Sequence, residues 1–250
     1  MIDLKSTEQI RKIAAASEIV VEVIKRLKQE ARAGVKTKEL DRIASDTIKA
    51  GGATAAFLGY RGFPGSICAC VNEEVVHGIP GDKALKDGDL LSIDVGTKKA
   101  GYFSDAAVTF EIGKIGSKAA QLVKVAREAL YKAIDAATIG NRVSDISFAI
   151  QDYVEGHGLS VIREFVGHGI GTELHEDPPI PNYGQKGMGP AIKEGMIFAI
   201  ETMISAGGWQ VEVLDDGWTA VTKDRSLTAH FEHTIAVTES RPVILTDGIM

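Results

Sequence analysis

The sequence predicts an α+β fold made of two similar halves, each with two helices followed by an antiparallel pair of strands. Three observations support this prediction. Apolar residues first recur at helical spacing, short apolar runs then follow, and the same order returns in the second half of the 250 residues. We therefore expect a single domain over 1–250, with repeats of about 1–115 and 116–250 around a central curved antiparallel sheet.

The first half opens with two predicted helices. Ser6 and Gln9 have the spacing of a capping box, and apolar residues at helical spacing follow them until about Gly34. A second helix is predicted from Thr37 to the Gly51-Gly52 pair, because glycine favours the left-handed conformation that ends many helices.

Strands are predicted next, over 88–96 (GDLLSIDVG) and 103–112 (FSDAAVTFEI), with a tight turn between them. The second half repeats this order. Its predicted helices cover 117–139 and about 144–154, and its predicted strands lie around 196–204 and 230–238.

Two separate stretches give nearly the same repeat distance. Residues 86–94 match residues 193–201 in type at six or more of nine positions, an offset of 107, and Gly34 recurs as Gly140 at an offset of 106. The agreement favours a duplicated architecture over a chance similarity of helix and turn preferences.

Composition and charge exclude several classes of function. With 44% hydrophobic residues the chain can bury a large core. Its net charge is −6 and no basic run exceeds two residues, so no nucleic-acid substrate is expected. The polar first residues and short apolar runs favour a cytoplasmic protein without a membrane span, and Cys68 and Cys70 are expected to be reduced.

Carboxylates stand in apolar strands at matched positions of the two halves. Asp94 ends LLSID and Glu201 ends IFAIE, where a buried charge is costly unless something pairs with it. The neighbouring strands carry Asp105 and Glu232, in positions that we expect to mirror each other. Each acid alone fits a surface residue or an ordinary salt bridge, whereas four converging acids favour two divalent metal ions with a bridging hydroxide.

The stretch EFVGHGIGTELHEDPP, residues 164–179, holds His168 and His175 among glycines. One imidazole can complete a carboxylate-rich metal shell and the other can donate to a substrate, although a structural histidine is the ordinary alternative. The glycines are expected to let the backbone approach a ligand closely. Oxygen-rich ligation with one imidazole predicts Co, Mn, Fe or Zn.

The chain resembles the type I methionine aminopeptidases, metallopeptidases of the pita-bread fold. The motifs that carry the resemblance are GYRGFPGSICACVNEEVVHGIPG, SIDVGTKKAGYFSDAAVTF, GHGIGTELHEDP, IFAIETM and DGWTAVTKDRSLTAHFEHTI. The 31 positions from Glu201 to Glu232 leave no room for the helical insertion of the type II enzymes.

The resemblance implies a set of site residues. The ligands of two divalent ions would be Asp94, Asp105, His168, Glu201 and Glu232, with Asp105 and Glu232 bridging. His77 and His175 would act on the substrate, and Glu201 would also move the proton. The methionine pocket would be formed by Tyr60, Phe63, Cys68, Leu174 and Trp218, with Phe57 at its rim; for Leu174 and Phe57 a place in the core is an equal alternative. Phe63, Phe57 and His230 stand where some members have tyrosine, cysteine and glutamine.

The implied activity is removal of the N-terminal methionine from nascent proteins and peptides, with a small second residue preferred. A hydroxide held between two metals would attack the first peptide bond. The implied enzyme is a monomer that associates transiently with the ribosome and needs neither nucleic acid nor membrane. A proline-directed peptidase is the nearest alternative, disfavoured because such relatives carry an extra N-terminal domain while the first helix here starts near residue 6. A metal-free peptide-binding member of the fold is disfavoured because no ligand is lost.

Overall fold

A computed structural model describes residues 2–250. The four helices are α1 (Thr7–Glu30), α2 (Thr37–Ala50), α3 (Ser117–Ala136) and α4 (Val143–Glu155). The strands are β1 (Thr54–Ala55), β2 (Cys68–Val71), β3 (Glu74–Val76), β4 (Leu90–Lys99), β5 (Tyr102–Glu111), β6 (Ser160–Val161), β7 (Val166–Gly169), β8 (Glu176–Pro181), β9 (Ile197–Ser205), β10 (Val211–Val213), β11 (Ala220–Thr222), β12 (Thr228–Ala236) and β13 (Val243–Ile244).

The helix ends follow the capping chemistry of the sequence. Ser6 and Gln9 form the predicted capping box, in which the side chain of each residue accepts a hydrogen bond from the backbone N–H of the other. Helix α1 ends at Glu30, before the predicted end near Gly34, because Ala31 is already extended. Helix α2 ends where predicted, and Gly52 takes a left-handed φ of 70°.

Two antiparallel sheets hold the long strands. In the first, β4 pairs with β1, β2 and β5. In the second, β9 pairs with β12, β7 and β6, while β13 and β8 extend the sheet. The turn between β4 and β5 consists of Ala100 and Gly101, both with positive φ, as in the two-residue hairpin turns that match strand twist. A third, small sheet has the order β10, β11, β3.

Two threonine hydroxyls join the sheets where β5 meets β12. The Thr234 hydroxyl accepts from the backbone N of Asp105 at 3.2 Å and donates to the carbonyl O of the same residue at 2.7 Å. The Thr109 hydroxyl does the same for His230, at 2.8 Å and 3.0 Å. These bonds satisfy backbone groups that would otherwise be buried without a partner, so the two half-sheets form one layer.

The order α1, α2, β4, β5 returns as α3, α4, β9, β12, and the predicted α+β class is confirmed. Strands β4 and β9 begin 107 residues apart, and α2 and α4 begin 106 apart, which keeps the offsets found in the sequence. Apolar faces of all four helices pack on one side of the sheets in the main core. Among residues 2–250, none of the helices has the length and apolar character that a membrane span requires.

Candidate metal centre

Strand register brings the four acids together. Glu201 and Glu232 lie directly opposite each other on β9 and β12. On β4 and β5, however, Asp94 faces Ala107 and Asp105 faces Gly96, so these two acids are diagonal neighbours on the same face. Asp94 and Glu201 keep the matched positions expected from the sequence. The mirror relation expected for Asp105 and Glu232 is wrong by two residues, one full period of a strand.

His168 reaches the acids from β7. It lies opposite Ala199, two residues before Glu201 on β9 and on the same face. Its Nδ1 donates to the carbonyl O of Gly169 at 2.9 Å, and its Nε2 lies 3.7 Å from Oδ2 of Asp105. Because the proton is held on Nδ1, the lone pair of Nε2 points at the acids, as in histidines that bind metals.

The geometry and charge of this cluster fit a divalent cation. Ligand atoms of Asp105, His168 and Glu232 lie within 4.8 Å of one another. Oδ1 of Asp94 is buried and has no hydrogen-bond partner. Burial, followed by the charges of neighbouring carboxylates, raises the pKa values of Asp94, Asp105 and Glu232 well above the ordinary range. A cation bound to these oxygens offsets that repulsion.

One cavity of about 290 Å³ opens onto the cluster. Every residue that the sequence singled out for the site lines it: Phe57, Tyr60, Phe63, Cys68, His77, Asp94, Asp105, His168, Leu174, His175, Glu201, Trp218 and Glu232. The cavity thus combines an acidic floor with imidazole and aromatic walls.

His175 stands at the exposed side of the cavity. The centroid of its ring lies 4.4 Å from that of His168, and its Nδ1 shares a 2.8 Å hydrogen bond with the hydroxyl of Tyr60. Removal of water by the surrounding protein, followed by the proximity of His168, lowers the pKa of His175 to about 4. The ring is therefore neutral at pH 7 and can carry one proton to a substrate.

His77 faces the cavity from the opposite wall. It has a left-handed φ of 59°, uncommon for a residue with a side chain, and it lies just beyond β3. Its ring is nearly perpendicular to those of Phe165 and Trp218, with centroid distances of 5.3 Å and 6.3 Å. Burial lowers its pKa, although Glu201 acts in the other direction.

Aromatic side chains form the apolar end of the cavity. The rings of Phe63 and Trp218 meet edge to face at 5.2 Å. Leu174 and Phe57 are buried and line the cavity as well, so the two alternatives for them, core and pocket wall, hold at once. Cys68 lies opposite Asp94 on β2, and both cysteines are free thiols as expected.

The glycines around His168 have a role in packing. A side chain at Gly167 would come within 2.6 Å of the carbonyl O of Ala199, and one at Gly169 would overlap the backbone of Asp177. A side chain at Gly171 would overlap the stem of Lys5. The absence of side chains at these glycines allows close packing of the protein on itself. The close approach of a ligand there stays a prediction.

Several residues near the site escaped the sequence analysis. Phe165, Arg61 and Glu164 line the cavity. Nε2 of His230, known from the sequence only as a departure from the family pattern, lies 3.1 Å from Oε2 of Glu201 without a well-directed hydrogen bond. His230 sits two residues before Glu232 on the same strand face, and that period of two was the one available signal.

Comparison with known proteins gives one consistent result. A model described as metallopeptidase family M24 matches residues 11–239. A methionine aminopeptidase of Clostridium perfringens is 48% identical over 246 residues, which cover 98% of this chain and 99% of that protein. Methionine aminopeptidase 1 of Bacillus subtilis is 50% identical over 246 residues, with the same coverage of 98% and 99%.

Solved structures agree with the sequence relatives. A methionine aminopeptidase from Thermotoga maritima superposes with a TM-score of 0.97 at 44% identity, covering 98% of this chain and 99% of that one. A prolidase from Pyrococcus furiosus has a TM-score of 0.79 at 24% identity and covers 98% of this chain but 65% of its own. The second likeness shows a shared fold and no more.

Proposed function

This chain belongs to metallopeptidase family M24, and from that premise we propose that it hydrolyses the first peptide bond of peptides and nascent proteins that begin with methionine. Its fold is the pita-bread fold expected from the sequence. The observation that carries the proposal is one cavity in which buried acids, three imidazoles and an aromatic slot converge. Relatives named methionine aminopeptidase match nearly the whole chain, which supports the same activity here.

Five residues would hold two divalent metal ions: Asp94, Asp105, His168, Glu201 and Glu232. Such ions, when bound, supply Lewis-acid polarisation of the scissile carbonyl and of the attacking water. The oxygen-rich donor set with one imidazole suits Co, Mn, Fe or Zn. Asp105 and Glu232 come from different half-sheets, so both halves of the fold would contribute to holding the ions.

His175 is assigned as the donor to the oxyanion that develops on the scissile carbonyl. When the Tyr60 hydroxyl donates to Nδ1, the neutral ring keeps its proton on Nε2. A donor fixed in this way needs no reorganisation as charge develops, and that is the source of its catalytic value. Tyr60 therefore contributes through the orientation and tautomer of His175.

Glu201 is assigned as the proton carrier between the attacking water and the leaving nitrogen. It occupies the centre of β9, where Glu232 opposes it and His230 approaches its Oε2. His77, on the other wall, is assigned a hydrogen bond near the leaving nitrogen, since its lowered pKa keeps the ring neutral.

The apolar end accounts for the choice of methionine. Phe63 and Trp218 present aromatic rings, which make favourable contacts with a thioether sulfur, and Cys68 leaves depth for an unbranched chain. Tyr60, Leu174 and Phe57 complete the slot. A small second residue is proposed from the resemblance to the type I enzymes.

We further propose that the enzyme is a cytoplasmic monomer that contacts ribosomes transiently and acts on emerging chains. Its substrates are peptide N-termini, with no part for nucleic acid or membrane.

Peptide hydrolysis in defined metal tests the proposal. Met-Ala-Ser, Leu-Ala-Ser and Ala-Pro peptides are compared after chelator treatment, with one divalent ion restored at a time. We expect cleavage of Met-Ala-Ser alone, and only with metal. Cleavage of Ala-Pro in preference to Met-Ala-Ser would favour a proline-directed peptidase, and binding of peptides without cleavage in any metal would favour a non-catalytic member of the fold.

A further inference from the structure

The side chain of Lys5 is buried just before α1, an unusual place for a lysine. It is 1% exposed, and its Nζ lies 2.9 Å from Oε2 of Glu176 and 2.6 Å from Oδ2 of Asp3. Glu176 follows His175 directly in the chain, although Lys5 is 171 residues distant from it in sequence. A buried lysine is rare unless it is paired, so the ion pair with Glu176 accounts for the burial of Lys5.

The backbone around Lys5 fixes the path of its side chain. The N–H of Lys5 donates to the carbonyl O of Gly195 at 2.7 Å, which ties the segment before α1 to the turn before β9. The stem then passes beneath Gly171, where any side chain would overlap its Cε. Gly171 itself is held by Phe103, whose N–H donates to its carbonyl O at 2.7 Å.

Glu176 uses the rest of its carboxylate to close the loop that carries His175. Its Oε1 accepts hydrogen bonds from the N–H of Thr172 at 2.6 Å, from the Thr172 hydroxyl at 3.0 Å and from the N–H of Glu173 at 3.1 Å. The same oxygen lies 3.0 Å from Nζ of Lys5. One carboxylate thus gathers the loop from Thr172 to Glu176 around a single buried ammonium group.

Both partners are charged at neutral pH. Burial works against the charge on Lys5, but the bonds to Asp3 and Glu176 outweigh it and raise its pKa. Burial likewise opposes ionisation of Glu176, but Lys5 and the loop donors hold the pKa of that carboxyl below its ordinary value. Removal of either partner leaves an unpaired buried charge, which is the costly way to break such a pair.

We propose that Lys5 is a positioning residue that, through Glu176, fixes the loop of His175 over the metal centre. The inference rests on the proposed role of His175 as a donor. Leu174 lies in the same loop with its side chain in the cavity wall, so the ion pair also sets the distance between the apolar slot and the donor. A segment outside the cavity therefore controls how well the site is assembled.

Steady-state kinetics of Lys5→Met tests the inference. The substitution keeps the length of the stem and removes the charge. We expect kcat for Met-Ala-Ser to fall by about 10-fold or more, because small displacements of a catalytic group are costly, while bound metal stays unchanged. Asp3→Asn removes the partner whose side chain is 57% exposed and should change kcat by less than about 2-fold. Lys12→Met, which breaks an exposed pair with Glu8, is the control on α1.

A double-mutant cycle separates positioning from general destabilisation. If Lys5 acts through His175, Lys5→Met should lower kcat little further once His175→Ala is present. Glu176→Gln, which keeps an oxygen for the loop amides but loses the ion pair, gives the same cycle if Lys5→Met folds poorly. If Lys5→Met and Glu176→Gln each lower kcat as much in the His175→Ala background as in the wild type, the inference is overturned.

Hydrogen exchange measures how well the loop is ordered, independently of catalytic activity. In Lys5→Met the amides of Thr172 and Glu173 should exchange at least about 10-fold faster than in the wild type, while amides of β4 and β9 keep their rates. Unchanged exchange at both loop amides would also overturn the inference. A wild-type protein that fails to cleave Met-Ala-Ser, while Lys5→Met still loosens the loop, would count against the proposed function and leave the ion pair's control of the loop in place.

Discussion

Glu201 and Glu232 face each other directly across the ladder between β9 and β12, at the centre of a buried sheet. Like charges at directly opposed positions destabilise a sheet, and burial increases the cost because water cannot screen them. The diagonal placement of Asp94 and Asp105 on the other half-sheet causes less repulsion. The opposed acids therefore destabilise the metal-free fold, and bound cations would restore that stability.

Neutralising one of the opposed acids should stabilise the metal-free protein and weaken the binding of metal. Glu232→Gln should raise the free energy of unfolding of the metal-free protein by about 1 kcal/mol, because the opposed charges are relieved. In the same variant the affinity for Mn²⁺ should fall by about 100-fold or more, because a ligand is lost. Chemical denaturation and titration calorimetry measure the two quantities. Glu212→Gln on the exposed strand β10 should change neither, and a Glu232→Gln protein that binds Mn²⁺ as tightly as the wild type would remove Glu232 from the ligand set.

Proton linkage gives a second test of the same cluster. The folded-state pKa values of Asp94, Asp105 and Glu232 are raised from ordinary values of 3.8, 3.8 and 4.5, so the folded metal-free protein binds more protons than the unfolded chain above about pH 4. The stability linked to these groups is present at low pH and is lost as pH rises through the raised values. The difference in unfolding free energy between Glu232→Gln and the wild type, both metal-free, should therefore widen from about pH 5 to about pH 8. Saturating Mn²⁺ in the wild type should abolish this trend, and a difference that is constant with pH would contradict the linkage.

His168, on β7, and His175, on the loop after β7, should give different results when metal content and activity are both assayed. His168→Ala should lower the amount of bound metal, because Nε2 points at Asp105. His175→Ala should keep the metal and lower kcat by roughly 100-fold or more, the usual loss for one oxyanion donor. Metal analysis alongside kinetics checks both, with His157→Ala, outside the cavity, as a control. Equal loss of metal in both variants would show that the division of roles is wrong.

The elements that could be predicted from the sequence are those determined by residues close together in the chain. Helix α1 begins where Ser6 and Gln9 cap it, and β4 and β9 follow runs of apolar residues interrupted by one acid. Two-residue strands such as β1 and β13 have too little pattern to be recognised. The matched places of Asp94 and Glu201 were predictable because both lie on repeated strands, whereas the two-residue displacement of Asp105 relative to Glu232 was not.

Contacts between distant segments account for what sequence analysis missed. Thr234 bonds to Asp105 from 129 residues away, and a threonine in a strand gives no sign of such a partner. Gly169 looks the same in sequence whether it adjoins a ligand or the backbone of Asp177. Phe165 lines the cavity and packs against the ring of His77, a contact between distant segments that nothing in the sequence indicates.

Trp218 offers a test of selectivity that is independent of the metal. Its indole lies edge to face with Phe63 at 5.2 Å, and its N–H backbone group donates to Oδ1 of Asp216 at 2.8 Å, which fixes the turn before β11. If these rings enclose the methionine side chain, a branched leucine or a shorter alanine at the first position should lose about 1–3 kcal/mol of transition-state binding. The wild type should then prefer methionine by tens-fold or more.

Trp218→Ala should narrow that preference and leave the bound metal unchanged, because the indole packs against Phe63 and His77, which are not proposed ligands. The measurement is kcat/KM for Met-, Leu- and Ala-starting tripeptides, with metal content determined on the same samples. Trp209→Ala is the matched control, since Trp209 packs against Arg163 away from the cavity. If the ratio of methionine to leucine is the same in Trp218→Ala as in the wild type, the indole serves the hairpin alone, and selectivity must come from the remaining wall of Tyr60, Phe63 and Cys68.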